Sequence, residues 1–117
     1  MNDELTAERI ARNESLFRDA NEQISTRADE FDVRDRVPFV CECATTTCTA
    51  VVRLSLDEYR AVRHDPRTFL TAPGHAATAG RWADVVERRP DYDVVRKVGL
   101  AGEIAEALDQ SAVDLKD

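Results

Sequence analysis

At 117 residues the chain has room for one domain with a modest core plus a helical extension, and for no second domain of ordinary size. Its 43% hydrophobic and 33% charged residues exclude a disordered polymer, and no apolar run approaches the roughly 18 residues of a membrane span. The net charge of −7 divides as −5 over residues 1–50, +2 over 51–97 and −4 over 98–117, which disfavours broad phosphate binding.

The opening Met1-Asn2-Asp3-Glu4 lacks the basic and apolar regions of a secretory signal, which implies a reducing, cytoplasmic setting. From Thr6 to Ala28 the pattern predicts one amphipathic helix. Ile10, Phe17 and Ile24 recur every seven residues, Leu16 and Ala20 widen the stripe, and Glu8, Arg9, Arg12, Glu14, Arg18 and Glu22 fill much of the solvent side. Thr6 is the expected N-cap. The stripe either packs on the domain or meets a protein partner, but Asn13 and Arg27 interrupt any long self-associating zipper.

The charged stretch Asp29 to Arg36, followed by Pro38, predicts a linker. Phe39-Val40-Cys41-Glu42-Cys43 and Cys48 to Leu54 are β-prone segments around a Thr-rich loop, which predicts a hairpin. Ser55-Leu56-Asp57-Glu58 is a capping box opening a short helix that ends near His64 before Pro66, with Leu56, Tyr59 and Val62 on or near its inner face. Thr68 to Thr71 is a further strand, and Ala76 to Gly80 a small-residue loop. Arg81 to Glu87 and Tyr92 to Val98 predict an antiparallel hairpin turning at Pro90-Asp91. Gly99 to Leu108 reads as a final short helix.

The expected architecture is therefore α+β: a helix in residues 1–30, a small antiparallel domain of hairpins with a capping helix in 37–109, and a mobile tail in 110–117. Arg53, Arg60, Arg63, Arg67, Arg81, Arg88, Arg89 and Arg96 make the middle basic. Solvation or pairing with the acidic flanks is the expectation for them, and nucleic acid is not the expected partner.

Three cysteines cannot all pair within one chain, so metal binding or free thiols are favoured over a disulfide framework. Cys41 and Cys43, two apart on an extended strand, present both sulfurs on one face. Cys48 returns from the following loop, and His75 follows the bend Pro73-Gly74. Together they make a Cys3His set of the kind that closes a structural zinc shell. His64 competes as the fourth ligand, although a histidine at a helix C-terminus is commonly a cap. A redox pair at Cys41 and Cys43, inert buried thiols, and a catalytic ion assisted by Glu42 or Glu58 remain open readings. No phosphate-binding glycine loop, nucleophile elbow or paired metalloprotease histidines is present, so a non-enzymatic role is expected.

The residues Phe39, Cys41, Glu42, Cys43, Cys48, Leu54, Glu58, Tyr59, Val62, Arg63, Pro66, Phe69, Pro73, Gly74 and His75 together resemble a group of short, largely actinobacterial proteins to which no established activity is attached. The similarity extends to Ala11 to Phe17 and Val85 to Arg88. It implies that the three cysteines and His75 act as a unit. Thr45-Thr46-Thr47 departs from the acidic loop that the resemblance implies at that place. The readings converge on a zinc-stapled module for protein contacts or regulation, with a thiol or metal sensor and a nucleic-acid-binding regulator as alternatives.

Overall fold

The structure is a computed structural model that describes residues 3–45 and 47–109, with side chains from residue 6 onward. Helix α1 spans Asp3–Glu30 and runs past both expected ends, so Thr6 lies inside it and is not its cap. The chain leaves α1 through a Schellman turn. Val33 N–H donates to Ala28 O at 2.9 Å and Asp32 N–H to Asp29 O at 3.1 Å, with Asp32 at φ 53° where glycine is usual.

Strands β1 (Val37–Val40) and β2 (Val51–Leu54) form the expected hairpin, Phe39 opposite Val52. Alternation turns Val37, Phe39, Val52 and Leu54 inward. Helix α2 (Leu56–Arg63) starts on the capping box: Glu58 N–H donates to Ser55 Oγ at 3.1 Å and Ser55 N–H to Glu58 Oε1 at 2.9 Å. Its Tyr59 is a core residue, stacked on Phe39 with ring centroids 4.3 Å apart. Strands β3 (Thr68–Thr71), β4 (Ala83–Arg88) and β5 (Asp93–Lys97) make a second antiparallel sheet in the order β3-β5-β4, and helix α3 (Gly99–Ala107) follows. Between β3 and β4, where Ala76 to Gly80 is expected as a loop and Arg81 as the start of a strand, His75–Trp82 coils into 3-10 turns broken at Gly80, and β4 begins only at Ala83. Small residues without hydrophobic periodicity leave that conformation unmarked in the sequence.

The largest correction concerns which side of α1 is buried. Leu16 is 68% exposed and Ala20 faces out, whereas Glu14 and Arg18, assigned to the solvent side, are each 1% exposed. The inward side reads Ala7, Ala11, Glu14, Arg18, Asn21 and Ala28. The surface beneath it presents polar groups that need partners. Asn21 pairs like a strand residue with Val40, donating Nδ2–H to Val40 O and accepting from Val40 N–H, both at 2.8 Å. Arg18 donates to Thr68 O at 2.9 Å and lies over Phe69, its Cζ 3.6 Å from the ring centroid. Glu14 Oε2 meets Lys97 Nζ at 2.6 Å, with both side chains sealed from water.

The basic middle is largely paired within the chain. Arg60 meets Asp29 and Asp57, Arg63 meets Glu22 and Asp109, Arg67 meets Glu106, Arg88 meets Asp93, Arg89 meets Glu87, and Arg96 meets Asp65. Among the described residues no helix is long and apolar enough to cross a membrane. The tail expected to be mobile, 110–117, lies outside the described residues.

Candidate metal centre

Beyond β1 the chain stays extended. Cys41 N–H donates to Ala50 O at 3.1 Å and Glu42 N–H to Leu70 O at 2.9 Å, so residues 41–43 bridge the two sheets. Strand alternation turns Cys41 and Cys43 to one side, each 1% exposed. It turns Glu42 to the other, where its carboxylate accepts from Leu70 N–H at 3.0 Å and Asn21 Nδ2–H at 2.9 Å. Cys48 is half-buried and rides on a turn closed by its N–H donating to Thr45 O at 3.1 Å.

His75 arrives from the other sheet, at the end of β3. Gly74 takes φ 85°, which a side chain would strain, and this bend aims the next residue back at the cysteines. Two contacts hold the bend: His75 N–H donates to Ala72 O at 3.0 Å, and Gly74 N–H donates to Asp93 Oδ2 at 3.0 Å. Thr78 ties the two ligand loops together, donating to His75 O at 2.8 Å and accepting from Ala44 N–H at 3.0 Å.

The ligand atoms of Cys41, Cys43, Cys48 and His75 all lie within 4.8 Å of one another. His75 Nδ1 is 3.5 Å from Cys41 Sγ and 3.6 Å from Cys48 Sγ. A tetrahedral shell with metal–sulfur bonds of about 2.3 Å and a metal–nitrogen bond of about 2.05 Å has nitrogen–sulfur edges of about 3.6 Å. The two spacings therefore fit a metal ion held between these side chains. Ala72 N–H also donates to Cys41 Sγ at 3.2 Å, a contact suited to a thiolate. Burial, foremost, pushes the Cys41 thiol well above its usual range, and the neighbouring thiols Cys43 and Cys48 add to this. A cation held among these sulfurs would reverse that balance by stabilising the thiolates.

Of the two histidines, His75 is the one that lies with the three cysteines. His64 is the exposed C-cap residue of α2 and takes no part in the cluster. The two carboxylates considered as bases are engaged elsewhere, Glu42 with α1 and β3, Glu58 with Ser55 and, at 3.4 Å, Tyr92 Oη. Asp93 and Thr78 are supporting residues that sequence reading missed. Asp93 lies in the expected strand and opens β5, but its burial, at 3% exposure, is not marked by the strand pattern. Its partner Gly74 is 19 residues away, and no local pattern marks such a pairing.

No protein-family model, curated protein or solved structure matches this chain.

Proposed function

We propose that this chain is a zinc-stapled, non-enzymatic module of the cytoplasm that works through contacts with protein. The observation that carries the zinc reading is the pair of His75 Nδ1 to Sγ spacings, 3.5 and 3.6 Å, which match the edges of a tetrahedral shell. Three thiolates and an imidazole are soft to borderline donors suited to zinc, and four of them leave no open position for a substrate. The ion fastens the 41–48 loop of one sheet to the 72–75 turn of the other. Its binding free energy, on the order of 10 kcal/mol or more, matches the whole stability of a domain this size, so the metal-free chain is expected to unfold.

The protein-contact reading draws on the outward side of α1. Leu16, 68% exposed, lies along it, Phe31, 74% exposed, follows in the turn that leaves it, and a groove of about 610 Å³ runs beside Ile24, Phe31, Val33 and Val37. The net charge of −7 and the intrachain pairing of the middle arginines argue against nucleic acid.

The test is elemental analysis of the untagged chain, purified without an affinity metal, beside Cys43→Ser and His75→Ala. About one zinc per chain, weakened or lost in both variants together with the folded circular-dichroism signal, is the expected result. A well-folded native chain without metal would sink the proposal.

A further inference from the structure

We propose that Cys48 is the reactive thiol of the cluster, the point at which a peroxide is reduced, and that its oxidation closes a Cys43–Cys48 disulfide and releases the ion. This rests on the Cys3His reading above and adds a chemical role to it.

The three sulfurs are not equivalent. Cys41 and Cys43 are sealed at 1% exposure, while Cys48 is only half-buried. Cys41 Sγ accepts Ala72 N–H at 3.2 Å, which draws electron density from that sulfur and lowers its nucleophilicity. The backbone differs in the same direction. Cys41 is tied by its N–H to Ala50 O, just before β2, whereas Cys48 sits on a turn flanked by exposed Thr45, Thr47 and Thr49. Of the three, Cys48 is the residue that an oxidant reaches and whose chain can follow a moving sulfur.

The chemistry balances with hydrogen peroxide as the named oxidant. The Cys48 thiolate attacks one peroxide oxygen; the O–O bond breaks, Cys48 becomes a sulfenic acid, and hydroxide leaves. The Cys43 thiolate then attacks the sulfenic sulfur, forming the S–S bond and expelling a second hydroxide. Two thiolates have lost two electrons, one peroxide has gained them, and the divalent ion, left with Cys41 and His75, departs. The resolving sulfur is close at hand, since all four ligand atoms lie within 4.8 Å. Cys43 is preferred to Cys41 because it is nearer to Cys48 along the chain, and bridging them leaves the bond from Cys41 N–H to Ala50 O in place.

The experiment uses the native, ion-loaded chain, with metal content measured first. One equivalent of hydrogen peroxide is added in the presence of a chromogenic chelator, and the cysteines are then mapped by peptide mass spectrometry. A parallel sample receives limiting iodoacetamide. The expected result is one ion released per peroxide consumed, a Cys43–Cys48 bridge that a thiol reductant reverses with return of metal binding, and alkylation of Cys48 at least tenfold ahead of Cys41 and Cys43. Equal labelling of the three, a bridge to Cys41, or retention of the ion after oxidation would overturn the inference while leaving the metal site standing. A native chain that carries no ion before peroxide overturns both.

Discussion

Deleting one charge of the Glu14–Lys97 pair should be far more damaging than deleting both. The two meet at 2.6 Å with 1% and 0% of their side chains exposed. At an effective dielectric constant of about 20, that spacing is worth about 6 kcal/mol of attraction, most of which the desolvation of two ions offsets. Lys97→Met strands a buried carboxylate. Glu14→Gln strands two cations on one ring, because Arg18 Cζ and Lys97 Nζ lie 3.6 and 4.8 Å from the Phe69 centroid. Each single change should cost about 3–5 kcal/mol, while the double variant should return to within about 1 kcal/mol of the parent. Urea unfolding with zinc held saturating measures all four corners of the cycle.

A pH series adds an independent check on the same pair. Burial raises the Glu14 carboxyl from 4.5 to about 7 against the pull of Lys97, so the folded state favours its protonated form. The stability this confers is fully present below about pH 4.5 and is lost as pH rises through about 7, about 3 kcal/mol over the whole window. The stability difference between parent and Glu14→Gln should therefore shift against the parent from pH 5 to 7.5. Additive single effects together with parallel pH curves would refute the account of a tightly coupled buried pair.

His75→Ala should lower zinc affinity more than tenfold in a chelator competition, whereas His64→Ala should leave it unchanged; the reverse order would reassign the fourth ligand. Asn21→Ala removes both bonds to Val40 and one to Glu42, and should cost about 2–4 kcal/mol in urea unfolding. Asp32 occupies a left-handed C′ position, so Asp32→Val should lose about 1–2 kcal/mol while Asp32→Gly loses none, as read by thermal denaturation.

What the sequence made legible was what neighbouring residues determine. The Ser55 to Glu58 capping box, the alternation across β1 and β2, the turn between β4 and β5, and the Cys41, Cys43 and Cys48 cluster follow from short-range spacing, while His75 joins them from 27 residues on through its residue type and the Pro73-Gly74 bend. The buried side of α1 did not. Glu14, Arg18 and Asn21 look like solvent residues until the chain brings Lys97, Thr68 and Val40 beneath them. Those pairings, such as the Arg18 to Thr68 bond across 50 residues, leave no periodic trace. The same holds for Asp93 beneath Gly74: a buried carboxylate that serves a distant amide carries the same letter as one in a turn.

The opposite facing of residues 41–43 means that the candidate metal site and helix docking share a single register of this extended segment. A slip by one residue would carry a carboxylate toward the Cys3His cluster and a thiol toward Asn21, so both connections would fail at once. Misaligned pairings of this segment thus have no partly rewarded version, and inserting or deleting one residue between Val40 and Ala44 should be far more disruptive than lengthening the threonine loop that follows.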